Sequence, residues 1–283
     1  MADDSVQIRR TPGNTYSIDY WDRFWFSGQS GLVLAWQRRA FCLLTLVFFA
    51  SYLFSISQWF AAEGFLSTRH LGQLVQVAEV SELTRWYWSP LYWIDSSAML
   101  TSFVGCGILL SGFAFFGVGG RLLDVTHWLV WLSVANRAWV LSGTEEIPLA
   151  IGLSSLVIAG KTPSFWSAKT SREKRVSYGL ARRWLQVHAA MLAITTAIAY
   201  LTTEEPSAGV KSLACAAPAL LALWFTWRSR RRELTWALCG SALLLGVATS
   251  EWLYAIGASA LWLAYLPDPQ HVSGKPRRLY DSK

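Results

Sequence analysis

The apolar residues of this chain fall in long uncharged runs, not in the short alternations of strands or the one-sided stripes of soluble helices. Residues 40–60 contain no Asp, Glu, Lys or Arg, and 21 residues of helix reach about 31 Å, close to the thickness of a bilayer's hydrocarbon core. Similar runs recur at 96–118, 147–159, 184–201 and 212–227, and the apolar run 122–141 is unusual in carrying Asp124, His127, Asn136 and Arg137. The last run, 234–266, is interrupted only by Glu251; it is too long for one ordinary span and reads as two short ones turning near Ser250 and Glu251. The pattern predicts an all-α, polytopic transmembrane helical bundle of about eight spans.

The connections refine that expectation. Residues 61–95 carry Glu63, Glu79, Glu82, Asp95, Arg69 and Arg85 and end in the aromatic run Trp86-Tyr87-Trp88-Ser89-Pro90-Leu91-Tyr92-Trp93. Such a density of Trp and Tyr favours the headgroup layer, so the second half of this connection is expected along the outer membrane surface. In the second span Gly105, Gly107, Gly112 and Gly117 offer a small-residue surface for close helix approach.

Charge then sets the orientation. With eight spans and the N-terminus inside, 21 of the 25 Lys and Arg fall on the inner side, in residues 1–39, Arg121, 161–183, 228–232 and the tail 267–283. Outer loops hold only Arg69, Arg85 and Lys211, and Arg137 lies within the third span. This segregation is the positive-inside bias, and it places both termini in the cytoplasm of a bacterial inner (plasma) membrane protein. The chain divides into a cytoplasmic segment 1–39, a membrane domain 40–266 and a cytoplasmic tail 267–283.

Composition agrees, with 53% hydrophobic and 15% charged residues. A net charge of +7 would suggest nucleic acid in a soluble protein; here topology accounts for it, and no nucleic-acid partner is expected. The first 39 residues lack an apolar h-region, so the first span is expected to act as an uncleaved signal anchor. Cys42, Cys106, Cys215 and Cys239 lie in apolar runs without metal-ligand spacing and read as small buried hydrophobes, with no metal site expected.

Several short motifs, in order, resemble the bacterial HTTM family, whose membrane domain is related to vitamin K-dependent gamma-carboxylase. They are Tyr20-Trp21-Asp22-Arg23-Phe24, Arg38 opening the first span, the Gly-rich second span ending Gly119-Gly120-Arg121, Ala135-Asn136-Arg137 followed by Gly143-Thr144-Glu145-Glu146, and Arg183-Trp184-Leu185-Gln186-Val187-His188 leading to Ala199-Tyr200. The resemblance implies a shared helical membrane fold. In the carboxylase a lysine just past the corresponding Tyr-containing helix end deprotonates a reduced quinone-type cofactor. Here that stretch reads Tyr200-Leu201-Thr202-Thr203-Glu204-Glu205-Pro206, with no lysine until Lys211. The large lumenal substrate domain also has no counterpart, so a working gamma-carboxylase is not expected.

Two groups of polar residues are candidate sites. Asp124 and His127 share a helix face by i,i+3 spacing and lie at the same shallow inner depth as Gln186 and His188. A functional reading makes His127 a proton relay held by Asp124, and a structural one makes the four a helix-orienting network. Towards the outer side, Asn136 and Arg137 approach the helix ends and turns bearing Glu145, Glu146, Tyr200, Glu204, Glu205 and Glu251. A guanidinium stays protonated, so Arg137 needs an acceptor, water or a snorkelling path, and the glutamates are its expected partners.

No phosphate-binding loop, dinucleotide fingerprint, zinc-protease motif or nucleophile elbow is present in the sequence. Three functions stay open. An outward-facing cleft could bind a lipid or quinone-like molecule, with no cofactor specified; eight spans and the echo of Thr144-Glu145-Glu146 in Thr203-Glu204-Glu205 suit a transporter or carrier; the basic loops suit a non-catalytic scaffold touching anionic headgroups.

Overall fold

A computed structural model describes residues 25–26, 31–77, 89–138, 146–160, 172–202, 235, 238–240, 242 and 252–266. Among these residues the architecture is all-α, with no strand. The helices are α1 (Leu32–Leu53), α2 (Ile56–Phe60), α3 (Thr68–Val77), α4 (Ser97–Phe115), α5 (Arg121–Arg137), α6 (Glu146–Ala159), α7 (Arg172–Leu201) and α8 (Trp252–Trp262). Short 3-10 turns follow at Pro90–Trp93 and Leu263–Tyr265.

Two of these, α1 and α4, are long and apolar enough to cross a membrane by length and composition; α6 and the segment Tyr254–Tyr265 are shorter apolar helices. The expected span at 212–227 and the turn near Ser250–Glu251 lie outside the described residues.

Helix α1 differs from the sequence expectation at both ends, each for a physical reason, and helix α7 differs at its start. Helix α1 starts at Leu32 instead of 40, carrying Arg38 inside because a carboxylate and a carbonyl await it there. It stops at Leu53, where the hydroxyls of Ser51 and Ser55 bond back to the carbonyls of Phe48 and Ser51, a habit that bends helices. Helix α7 likewise starts at Arg172 instead of 184, so the second half of the basic connection is helical.

Contacts at helix ends give the directions of the chain. Arg38, near the start of α1, meets Asp124 in the first turn of α5 and Gly160 just past α6. Ser57, beyond the end of α1, meets Ser97 at the start of α4, while Arg182 early in α7 reaches Ala264 just past α8. Helices α1, α5 and α7 therefore run one way and α4, α6 and α8 the other, as short connections require.

Helix α1 is the centre of the bundle, packing along α4, α6 and α8. Its Phe41 and Phe49 are fully buried and lie where two glycines let neighbouring backbones come close. A Cβ built at Gly107 would stand 2.6 Å from the Phe49 ring, and one at Gly152 would overlap Phe41. Of the four glycines expected to form a small-residue surface, Gly107 is the one in tight contact; Gly105, Gly112 and Gly117 face open space.

The outward faces remain apolar, with Trp36, Leu43, Val47, Met99, Leu109, Phe113 and Leu129 exposed. Cys42 and Cys239 are buried, but Cys106 is exposed on α4, and Cys215 lies outside the described residues.

Candidate functional site

Helix α5 carries an acid in its first turn and a base in its last, so each charge opposes the partial charge of its helix end. Both side chains are buried. Their surroundings divide the molecule's polar interior into two sites at opposite ends of the bundle.

At the Asp124 end, the Arg38 guanidinium donates to both carboxylate oxygens, Nη1 to Oδ1 at 2.6 Å and Nη2 to Oδ2 at 2.7 Å, with a further bond from Nη2 to the Gly160 carbonyl at 3.1 Å. Gly160 can turn its carbonyl there because it closes α6 in the left-handed conformation, φ 67°. Forked pairing of this kind fixes geometry as well as charge. Next to Arg38, Gln37 points to α8 and donates to the Ala260 carbonyl at 3.1 Å.

His127, one turn beyond Asp124, does not use that carboxylate as its hydrogen-bond partner. Its Nε2 lies 2.9 Å from the Ser111 hydroxyl of α4 and 3.2 Å from the Thr45 hydroxyl of α1. Those hydroxyls can donate to carbonyls of their own helices, Thr45 to Phe41 and Ser111 to Gly107. Whichever group donates, these contacts tie α1, α4 and α5 together through the imidazole.

The other two members of the expected inner group bond elsewhere. Gln186 donates to the Ala264 carbonyl at 2.8 Å and accepts from Arg183 at 2.6 Å, while Tyr265 donates to the Gln186 carbonyl. His188 Nδ1 sits 2.8 Å from the Trp184 carbonyl one turn back, and its ring lies 3.9 Å from the Trp184 ring. Three of the four thus serve two junctions: Asp124 and His127 join α5 to α1 and α4, Gln186 belongs to the junction of α7 with the end of α8, and His188 contacts Trp184 of its own helix.

At the opposite end, Arg137 is completely buried. Its Nη2 donates to the Leu66 carbonyl at 3.0 Å and approaches the Thr68 hydroxyl at 3.4 Å and the Asp95 carboxylate at 3.9 Å. The Phe60 and Tyr92 rings stand 5.7 Å and 5.3 Å from its guanidinium carbon. Cation–π attraction grows where water is excluded, which holds here. The other two guanidinium nitrogens, Nε and Nη1, are buried with no acceptor among the described residues.

The segment over Arg137 is stapled to α5. Ser89 donates to the Ser133 carbonyl at 2.6 Å and accepts from the Leu91 amide, and the Tyr92 hydroxyl donates to the Asn136 carbonyl at 3.1 Å. The end of the aromatic run therefore forms a wall of the site. Trp86, Tyr87 and Trp88 lie outside the described residues. The hydroxyl of Thr68, which opens the amphipathic helix α3, has two acceptors in reach for its single hydrogen, the Tyr92 carbonyl at 3.1 Å and Asp95 Oδ1, while the Ala62 amide donates to the Asp95 carbonyl.

Of the residues expected around Arg137, Asn136 contributes its backbone carbonyl and Glu146 opens α6. Glu145, Glu204, Glu205 and Glu251 lie outside the described residues, as does the Tyr200 side chain. The partners Phe60, Leu66, Thr68, Tyr92 and Asp95 were not named by sequence reasoning as partners of Arg137. The available signal was Asp95 itself, a carboxylate beside the aromatic run and immediately before an apolar helix. Among the described residues no group of three or more His, Cys, Asp or Glu gathers as metal ligands would. No family model, no curated protein and no solved structure matches the chain.

Proposed function

We propose that the protein is an integral membrane protein of eight spans, both termini inside a bacterial plasma membrane, that binds a lipid or quinone-like molecule at the outward-facing site built on Arg137. Exposed apolar faces on α1 and α4 and the segregation of Lys and Arg support the membrane setting. The ordered motifs shared with the HTTM family belong to the same reading, which includes no lysine base and hence no carboxylase chemistry.

One observation carries the ligand assignment. Arg137 is wholly buried against two aromatic rings, yet among the described residues two of its nitrogens have no acceptor and the nearest carboxylate stands beyond hydrogen-bond range. Unmet donors on a buried cation are costly, so a molecule bearing oxygen acceptors and a flat or apolar body fits the place. In this reading the guanidinium orients the acceptor and Phe60 and Tyr92 hold the apolar part.

The test is to purify the full chain in membrane nanodiscs and extract co-purifying lipids and quinones for mass spectrometry. Enrichment of one species over the bulk membrane, lost in Arg137→Gln with helicity and yield retained, is the expected result. An extract identical to the bulk membrane in both proteins would sink the proposal.

A further inference from the structure

Among the described residues, the carboxylate nearest Arg137 is an odd partner for a buried cation. Asp95 Oδ1 is 3.9 Å from Nη2, too far to bond it, and its side chain is 43% exposed whereas that of Arg137 is 0%. Its direct bond goes instead to the Thr68 hydroxyl, at the first residue of α3. That position is the positive end of a ten-residue helix, where anions are stabilised. The Arg137 guanidinium reaches the same point through Leu66 and Thr68 and retains two buried donors with no acceptor among the described residues.

We infer that Arg137 and the start of α3 form a site for a phosphate oxyanion and that Asp95 occupies its edge as a displaceable internal anion. This rests on the proposed ligand-binding role of the Arg137 site and narrows the ligand to one carrying negative charge. A neutral carbonyl could accept from Nε or Nη1 with Asp95 in place. A phosphate at that distance from a carboxylate would be repelled and must drive Asp95 outward, which its exposure to solvent permits. The exchange gives up the bond from Thr68 to Asp95 and the long Arg137–Asp95 attraction, and it lets the Thr68 hydroxyl, which also has the Tyr92 carbonyl as an acceptor, turn to the incoming oxygen.

The flanks of the site suit an amphiphile. Phe65 precedes Leu66 and Trp93 follows Tyr92, and both side chains are largely exposed. Apolar rings so placed beside a cationic pocket offer a bed for an acyl chain, with the headgroup phosphate on Arg137. A free phosphate ion would use the same donors and ignore the rings.

The experiment measures phosphatidylglycerol retained by the full-length protein in detergent, by native mass spectrometry, for wild type, Asp95→Asn, Arg137→Gln and the pair Arg137→Lys with Asp95→Asn. Asparagine keeps an acceptor for Thr68 and removes the competing charge. Asp95→Asn should tighten phosphatidylglycerol about tenfold, a modest figure for losing one partly solvated like charge. Arg137→Gln should abolish the bound lipid, and the Lys pair, which keeps a positive charge at the site should Arg137→Gln misfold, should retain it more weakly.

Inorganic phosphate should compete at millimolar concentration; phosphate binding undiminished in a Phe65→Ala, Trp93→Ala double variant that loses the lipid would establish the oxyanion site and confirm the rings as the chain's bed. Lipid retention unchanged or weakened in folded Asp95→Asn would overturn the inference. Retention of phosphatidylcholine or a neutral quinone that requires Arg137 but ignores Asp95 would overturn it while leaving the proposed function standing. Loss of every ligand preference would sink both.

Discussion

At the scale of single residues, the buried charges follow two different logics. Arg38 and Asp124 pair through short forked bonds, with side chains only 6% and 2% exposed and one buried donor, Arg38 Nε, lacking an acceptor among the described residues. Taking either one away leaves its partner charged and dry, which costs roughly 3 to 5 kcal/mol in buried pairs, whereas replacing both by apolar residues of similar volume is often close to neutral. Arg38→Met alone and Asp124→Leu alone should therefore lower the unfolding temperature of the detergent-solubilised protein sharply, and the double variant should recover most of the loss. A thermal-unfolding cycle over the four proteins checks this; additive losses would show that the pair does not act as a unit. Arg137 differs because its carboxylate is distant and solvent-facing, so Asp95→Asn should shift stability by less than about 1 kcal/mol in the same assay.

At the scale of elements, α1 is held by side chains that fit into gaps left by glycine. Gly107→Ala would push a methyl group into Phe49, and Gly152→Ala would push one into Phe41, both from helices packed on α1. Overpacking of a tight core contact costs roughly 1 to 3 kcal/mol. Gly105→Ala and Gly112→Ala, on the same helix as Gly107 but facing open space, should be neutral or slightly stabilising, because alanine favours helix over glycine. Comparing unfolding midpoints of the four variants tests whether α4 meets α1 through one glycine or through a stripe. The sequence made α4 and α6 legible nearly to their ends, since long uncharged runs leave little choice of structure. It misplaced the start of α1 because a charge-free window excludes Arg38, whose acceptors come from α5 and from Gly160, 86 and 122 residues away. The Arg137 site was half legible for the same reason: a lone intramembrane arginine announces a partner, but Leu66, Thr68 and Asp95 reach it through tertiary contacts that no local spacing encodes.

At the scale of the whole molecule, alternating helix directions put Arg38, Asp124, Gly160 and Arg182 at one end and Phe60, Thr68, Asp95 and Arg137 at the other. Under the proposed topology the second end faces outward. In a protein whose native cysteines are replaced, Glu63→Cys should react with a membrane-impermeant maleimide added to intact cells, and Val118→Cys only after the cells are opened; the reverse would invert the orientation. The Arg38–Asp124 bond also has a consequence in time. The two residues are separated by 86 positions, so at 5–20 residues per second Arg38 leaves the ribosome roughly 4 to 17 s before Asp124 does. Under the proposed topology, a guanidinium two turns into an apolar helix would in that interval need lipid phosphates or cytoplasmic water for its head. Helix α1 would then wait in a shallower position than its final one until α5 supplies the carboxylate.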